Sequence, residues 1–244
     1  MAATAVELKT AHGAGDSGHT ADHHPGGHYT SMGIDSRKLG MWIFLASDTM
    51  FFGSLIATYL IYRGRAEELF LAGQGKGPLP HEILDIPYTS ISAFVLLMSS
   101  MSMVLALSAV QRGNIRGTRI WLLTTALLGS IFLGGQYFEF TSFHNEGLGL
   151  TTNMFGSTFF TLTGFHGFHV TLGVIMLLSL VVLSLRGGVS QRDAMNVEII
   201  GLYWHFVDIV WVVIFTVVYL IPYKNVPTEG AEHSLRFLQS LSIF

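Results

Sequence analysis

Cysteine is absent from this chain of 244 residues, and charged residues make up only 12% of it. Without cysteine the chain can form no disulfide, thiolate metal site or iron–sulfur cluster. Soluble domains typically contain about 25% charged residues. Here half of the residues are hydrophobic, and the net charge of −3 is too small to favour a nucleic-acid partner. The composition therefore indicates an integral membrane protein.

Five long apolar segments follow one another along the chain. They cover about 39–62, 89–110, 118–140, a part of 147–185, and 197–221. At 1.5 Å per residue, a helix over each segment can cross ~30 Å of hydrocarbon. The segments are too long and too uniformly apolar for the strands of a membrane barrel. The sequence predicts an all-α, polytopic bundle of five transmembrane helices.

Three regions are predicted from these boundaries. Residues 1–38 form a His- and Gly-rich tail, which we expect to be flexible and cytoplasmic. Its histidines could instead capture a metal, and they are His12, His19, His23, His24 and His28. Residues 39–223 form the membrane domain, and 224–244 form a C-terminal tail outside the membrane. No internal repeat is visible, which argues against the two-fold architecture of many transporters.

Lysine and arginine predict the orientation, because they are enriched in cytoplasmic loops. One side of the membrane receives eight of them, namely Lys9, Arg37, Lys38, Arg112, Arg116, Arg119, Arg186 and Arg192. The opposite side receives five, namely Arg63, Arg65, Lys76, Lys224 and Arg236. The bias places the N-terminus in the cytoplasm and the C-terminus outside.

Ionisable residues within membrane helices are candidates for function. The candidates here are Asp48, Glu139, His166, His169, Glu198, His205 and Asp208. At about 100° per residue, Glu198 and His205 share one side of the fifth helix, with Asp208 about 80° away. His166 and His169 lie about 60° apart on the fourth helix by the same geometry. We therefore expect two polar stripes to face each other inside the bundle.

Three interpretations of these groups remain open. The polar side chains can bond to one another and fix the register of the helices. The patterns H-x-x-H and H-x-x-D can instead supply four metal ligands. The third interpretation is proton handling by a buried carboxyl group, which suits Asp48 best because its helix offers no other charge to pair with it.

Four segments resemble one known family, the subunit III family of haem–copper oxidases. "KLGMWIFLASDTMFFGSL" resembles the helix of that family that bears a buried carboxylate. "QYFEF", "GFHGFHVTLGVI" and "YWHFVDIVW" resemble further family segments, in the same order along the chain. The resemblance extends from about Leu39 to Tyr223.

The resemblance implies a non-redox accessory subunit of a proton-translocating terminal oxidase, of which cytochrome c oxidase is our first choice. Such a subunit has no haem or copper of its own. It packs against subunit I, is expected near subunits II and IV, binds phospholipid, and supports proton uptake in the reduction of O2 to water. The implied location is the bacterial inner membrane. Candidate lipid-binding residues at helix ends are Arg63, Arg65, Arg112 and Arg116.

Two departures from the family pattern are visible. The long family form has seven helices, whereas this chain lacks the first two. Asp48 stands where the family commonly has Glu, which leaves its proton role open. Quinol oxidases and nitric-oxide reductase gene clusters also have subunits of this type, so those remain alternatives. From other classes, a free-standing channel or transporter and a stand-alone metalloenzyme are the rivals.

Overall fold

Five long helices make up the part of the chain that the structure describes. The computed structural model describes residues 35–71, 85–187 and 194–221, and the chain forms one unit from Arg37 onward. The helices are α1 (Ser36–Leu71), α2 (Ile86–Gln111), α3 (Ile115–Asn145), α4 (Met154–Leu185) and α5 (Ala194–Phe215), and α5 is continued by a π-helical turn, Thr216–Leu220. The predicted all-α architecture of five helices is confirmed. The predicted tails lie almost entirely outside the described residues, and so do the five tail histidines.

The exposed surface of this unit is apolar along every helix. All five helices are long and apolar enough to cross a membrane, judged by their length and composition. Large apolar side chains point outward from each of them, for example Ile43, Phe94, Leu127, Ile175 and Ile209. Hydrocarbon is the solvent that tolerates such a surface. The prediction of a polytopic membrane protein is therefore confirmed.

The helix ends follow ordinary capping chemistry. Asp85, Asn114 and Asn153 cap the N-termini of α2, α3 and α4, each accepting a bond from a backbone N–H three residues on. Glycines with positive φ follow the C-terminal ends of the same helices, at Gly113, Gly147 and Gly187. These caps place α3 three residues earlier than the sequence predicted. The predicted loop after the first helix is also too long, because α1 continues to Leu71.

Trp204 of α5 lies at the centre of the core formed by α2, α3, α4 and α5. Its indole Nε1 donates to Ser99 Oγ of α2 at 3.0 Å. A methyl group at Gly129 of α3 would lie 2.5 Å from the ring atom Cη2, and one at Gly173 of α4 would lie 2.8 Å from Cε3. The absence of a side chain at these glycines therefore lets two helices close on the indole.

Some small residues that were expected at close helix contacts do not lie at one. The spacing of Gly53 with Ala57, and of Ser130 with Gly134, predicts close helix packing. Within this chain that expectation is wrong for Gly53 and Gly134, since a methyl group at either would meet no atom within 4 Å.

Helix α1 is peripheral. Far less of it is buried within the chain than of the other four helices. Long side chains connect it to α4 and α5: Phe52 contacts His169 and Phe206, and Tyr59 contacts Phe155. Ion-pair and backbone contacts at its two ends add to these, so α1 is held at a distance by side chains rather than by close backbone approach.

Candidate functional site

The Asp48 carboxyl group of α1 meets His169 of α4 near the middle of the membrane-spanning segments. Asp48 Oδ2 lies 3.4 Å from His169 Nε2, and the two side chains are only 14% and 11% exposed. From the sequence, backbone carbonyl groups or histidines of the fourth and fifth helices are the expected partners of Asp48, and the structure places His169 of α4 beside it. Phe52 and Phe168 flank the imidazole edge-on, which excludes water from two sides of the pair.

The other ring nitrogen of His169, Nδ1, determines the tautomer of the neutral ring. Nδ1 lies 2.7 Å from the carbonyl oxygen of Phe165, so it must carry a hydrogen and donate it. In the neutral ring Nε2 is then a bare acceptor facing a carboxyl oxygen. A hydrogen bond between the two groups requires one further proton, either on the carboxyl group or on the ring. In the structure they lie within ion-pair distance, and Asp48 Oδ2 has no hydrogen-bond partner among the described residues.

His166 lies one turn before His169 and is fully buried, but it faces α5 instead of α1. Its Nε2 donates to the carbonyl oxygen of Val207 at 3.2 Å, and its ring stacks on Trp211 with centroids 4.8 Å apart. Nδ1 is buried without a hydrogen-bond partner in the described part of the chain. His166 therefore packs between α4 and α5 with one ring nitrogen bonded and the other unpaired among the described residues.

His205 and Asp208 of α5 turn towards α2, away from the histidines of α4. His205 Nδ1 lies 2.6 Å from Ser100 Oγ. Asp208 is 5% exposed, it interacts with the same serine, and its Oδ1 has no hydrogen-bond partner among the described residues. The expectation that the polar stripes of the fourth and fifth helices face each other as histidine–carboxylate pairs is therefore wrong. The serine cluster on α2 supplied a closer partner.

Glu198 and His205 contact different helices, although both lie on one side of α5. It forms an ion pair with Lys38 at the start of α1, and its side chain is 31% exposed. Arg37 approaches Asn196 at the same end. Glu198 is thus not the buried group that the sequence predicted, because α5 begins only four residues before it. It joins the N-terminal ends of α1 and α5.

Glu139 occupies a buried position near the other end of the bundle. Thr89 Oγ1 and Tyr219 Oη both donate to its Oε1, at 2.7 and 2.8 Å. Tyr219 comes from the π-helical turn, so one carboxyl oxygen connects α2, α3 and the end of α5. The two hydroxyl groups thus satisfy a buried carboxyl oxygen of α3.

The four arginines proposed for lipid binding have different surroundings. Arg63 is 6% exposed, and its guanidinium group donates to the carbonyl oxygens of Val217 and Ile221 at the end of α5. Arg65 lies over the ring of Tyr62. Arg112 and Arg116 are exposed around the turn between α2 and α3. Lipid binding by these residues stays a prediction.

Two polar partners, Thr89 and Tyr219, were not singled out from the sequence. They carry no spacing signal, because their role depends on where distant helices meet. Ser99, Ser100 and Ser102 were expected only as small residues that let helices pack closely. They bond to Trp204, His205 and Thr125, respectively.

The patterns H-x-x-H and H-x-x-D do not converge. No cluster of three or more His, Asp or Glu side chains that could hold a metal occurs within 35–71, 85–187 and 194–221. The histidines of α4 instead contact a carboxyl group and a carbonyl oxygen, each on a different neighbouring helix.

Comparison with known proteins identifies the family. The family model described as cytochrome c oxidase subunit III matches residues 19–223. The chain belongs to this family. It is 38% identical over 182 residues to quinol oxidase subunit 3 of Bacillus subtilis (strain 168), covering 75% of this chain and 85% of that protein. It is 37% identical over 185 residues to cytochrome c oxidase subunit 3 of Bacillus sp. (strain PS3), covering 76% and 86%.

A third relative extends the range of organisms. Cytochrome c oxidase subunit 3 of Thermostichus vulcanus is 35% identical over 188 residues, covering 77% of this chain and 88% of that protein. As a member of the subunit III family, the chain is an accessory subunit of a haem–copper oxidase and a multi-pass protein of a bacterial membrane. The resemblance seen in the sequence is thereby confirmed.

Proposed function

We propose that this subunit III belongs to a proton-translocating terminal oxidase that reduces O2 to water. The observation that carries the proposal is the family match over residues 19–223, which includes all the membrane-spanning helices. In this proposal the chain stabilises subunit I, its main partner, and also lies near subunits II and IV. Haem and copper belong to those partners, and the chain itself contributes packing, lipid contacts and a proton-holding pair.

Cytochrome c is the proposed electron donor, and a quinol is the alternative. Relatives named for each type of oxidase have nearly equal identity to this chain, at 38% and 37%. Contact with the donor is made by other subunits, so the buried residues of this chain do not distinguish the two. The experiment below therefore offers both electron donors.

Asp48 and His169 are the residues we propose to support proton uptake. The pair holds one proton in an apolar environment, and either partner can carry it without creating a net charge. The proton can move between the two groups without a change in net charge, whereas its release leaves one negative charge that proton uptake must neutralise. The proposed orientation, with the N-terminus in the cytoplasm, follows from the distribution of lysine and arginine.

The test is purification of the tagged chain from its membrane in mild detergent. We expect a larger haem-bearing subunit to co-purify, with haem absorbance and O2 consumption. Reduced cytochrome c and a reduced quinol, offered separately, identify the donor. A chain that purifies without haem or a larger partner would refute the proposal. A stoichiometric transition metal on this subunit alone would favour the metalloenzyme instead.

A further inference from the structure

Tyr203 of α5 is a buried residue that contacts both helices of the Asp48–His169 pair. Its side chain is 3% exposed, and its Oη donates to the backbone carbonyl oxygen of His169 at 3.0 Å. Its ring stacks on Phe44 of α1, with centroids 6.3 Å apart and planes at 26° to each other. Phe44 lies one helical turn before Asp48. Tyr203 thus connects α4 at the histidine with α1 beside the carboxyl group.

The tyrosine ring approaches α4 at a glycine. Gly173 lies one turn after His169, and a methyl group there would lie 3.4 Å from Cε1 of Tyr203. The ring therefore packs directly on the turn of α4 that follows the histidine. A carbonyl oxygen has two lone pairs, so a helical carbonyl can accept a second hydrogen bond from outside its helix. The carbonyl group that accepts the Tyr203 hydroxyl is that of His169 itself.

The contact between Asp48 and His169 is sensitive to small shifts of the two helices. Its polar atoms are 3.4 Å apart, whereas hydrogen bonds between nitrogen and oxygen are about 2.7–3.2 Å long. A movement of a few tenths of an ångström therefore decides whether the two groups share a hydrogen bond. Little of α1 is buried within the chain, so close backbone packing does not fix its distance from α4. Side chains that reach both helices fix it instead.

We propose that Tyr203 is a positioning residue for the Asp48–His169 pair. Its hydrogen bond holds the turn of α4 that bears the imidazole, and its ring holds the turn of α1 that precedes the carboxyl group. Tyr203 exchanges no proton itself, and it acts through the distance between the two partners. The inference rests on the proposed function, in which the pair supports proton uptake.

Removal of a single hydroxyl group separates positioning from packing. Tyr203→Phe keeps the ring and removes the bond to His169, whereas Tyr219→Phe removes a buried hydroxyl bond to Glu139 near the other end of the bundle. Each variant loses one buried hydrogen bond, so Tyr219→Phe is the matched control. At equal haem content, we expect Tyr203→Phe to shorten the active life of the purified oxidase several-fold. Tyr219→Phe should keep the active life of the wild type.

Infrared spectroscopy of the purified complex reports on the pair itself. The band of the Asp48 carboxyl group is the one that Asp48→Asn removes. We expect Tyr203→Phe to shift this band and Tyr219→Phe to leave it unchanged. p-Aminophenylalanine at position 203 keeps a hydrogen-bond donor on the ring, and it should restore both the band and the active life. A residue that contributes stability alone would show neither the shift nor the restoration.

An unshifted Asp48 band in Tyr203→Phe, or equal losses in both tyrosine variants, would overturn the inference. If Tyr203→Phe fails to assemble with haem, Phe44→Leu removes the ring contact from the exposed side of α1, and an unshifted band in that variant would overturn it as well. The proposed function fails on a different observation. Unchanged turnover and proton stoichiometry in Asp48→Asn would refute the proton role of the pair, and the inference with it, whatever Tyr203→Phe shows.

Discussion

A carboxyl group and an imidazole that meet inside an apolar bundle differ from the same groups at a surface. Asp48 lies 3.4 Å from His169 Nε2, and Nδ1 of the same ring is bonded to a carbonyl oxygen. A net charge on these two groups together would be costly in an apolar environment. The shorter Asp in place of the family's common Glu still reaches a histidine.

Asp48→Asn tests whether that proton matters. The Asn amide can donate to His169 Nε2, so we expect normal assembly and haem content with weaker proton uptake or a shorter active life. Asp48→Leu leaves Nε2 buried and unpaired, at a cost of about 1–3 kcal/mol, and should disturb packing. The measurements are O2 consumption over many turnovers and proton release. Unchanged turnover and proton stoichiometry in the Asn variant would leave Asp48 a packing residue.

Glu139 offers a second residue-scale test. Tyr219→Phe removes one of its two hydroxyl donors and Thr89→Val removes the other. A hydrogen bond of this kind contributes about 0.5–1.5 kcal/mol, so each variant should unfold at a lower temperature in detergent. Tyr137→Phe, on the exposed side of the same helix as Glu139, serves as the control and should change nothing. Equal midpoints in all three variants would show that the cluster contributes no stability.

At the scale of whole elements, close approach of helices depends on single glycines around Trp204. Gly129→Ala places a methyl group 2.5 Å from the indole, and overpacking of this kind costs about 1–3 kcal/mol. Gly134→Ala on the same helix meets nothing within 4 Å. We expect the first variant to lower the midpoint of thermal unfolding and the second to leave it unchanged or raise it. The opposite ranking would contradict the packing of α3 on Trp204.

Element number and type were predictable because an apolar run long enough to span hydrocarbon has few alternatives. Helix ends were less predictable: α1 continues past Arg63, a charged residue that ends the apolar segment but that bonds to carbonyl oxygens at the end of α5. The Asp48–His169 contact followed from depth and the need for a partner. The partners of His205 and Glu139 could not be predicted, because the angles between side chains on one helix do not show which neighbouring helix is closest.

At the scale of the molecule, we propose that the exposed arginines around the α2–α3 turn bind anionic lipid. We expect Arg112→Gln with Arg116→Gln to reduce the amount of co-purifying anionic phospholipid, because arginine pairs with phosphate through two hydrogen bonds. Arg186→Gln, exposed after α4, is the matched control. Native mass spectrometry of the complex counts the lipids. An unchanged count in the double variant would remove these residues as a lipid site.

The orientation of the whole bundle can be tested with single introduced cysteines, because the chain has no cysteine of its own that a thiol reagent would label. The charge bias predicts that the turn after α2 faces the cytoplasm and the turn after α3 faces outside. A single cysteine is introduced as Gln111→Cys or Glu146→Cys, both at exposed positions. In spheroplasts, whose cytoplasmic membrane is intact, a membrane-impermeant maleimide should label the Glu146→Cys variant alone. Both should react after the membrane is permeabilised. Labelling of the Gln111→Cys variant alone in intact cells would reverse the orientation, and would place the Lys38–Glu198 pair on the outer side.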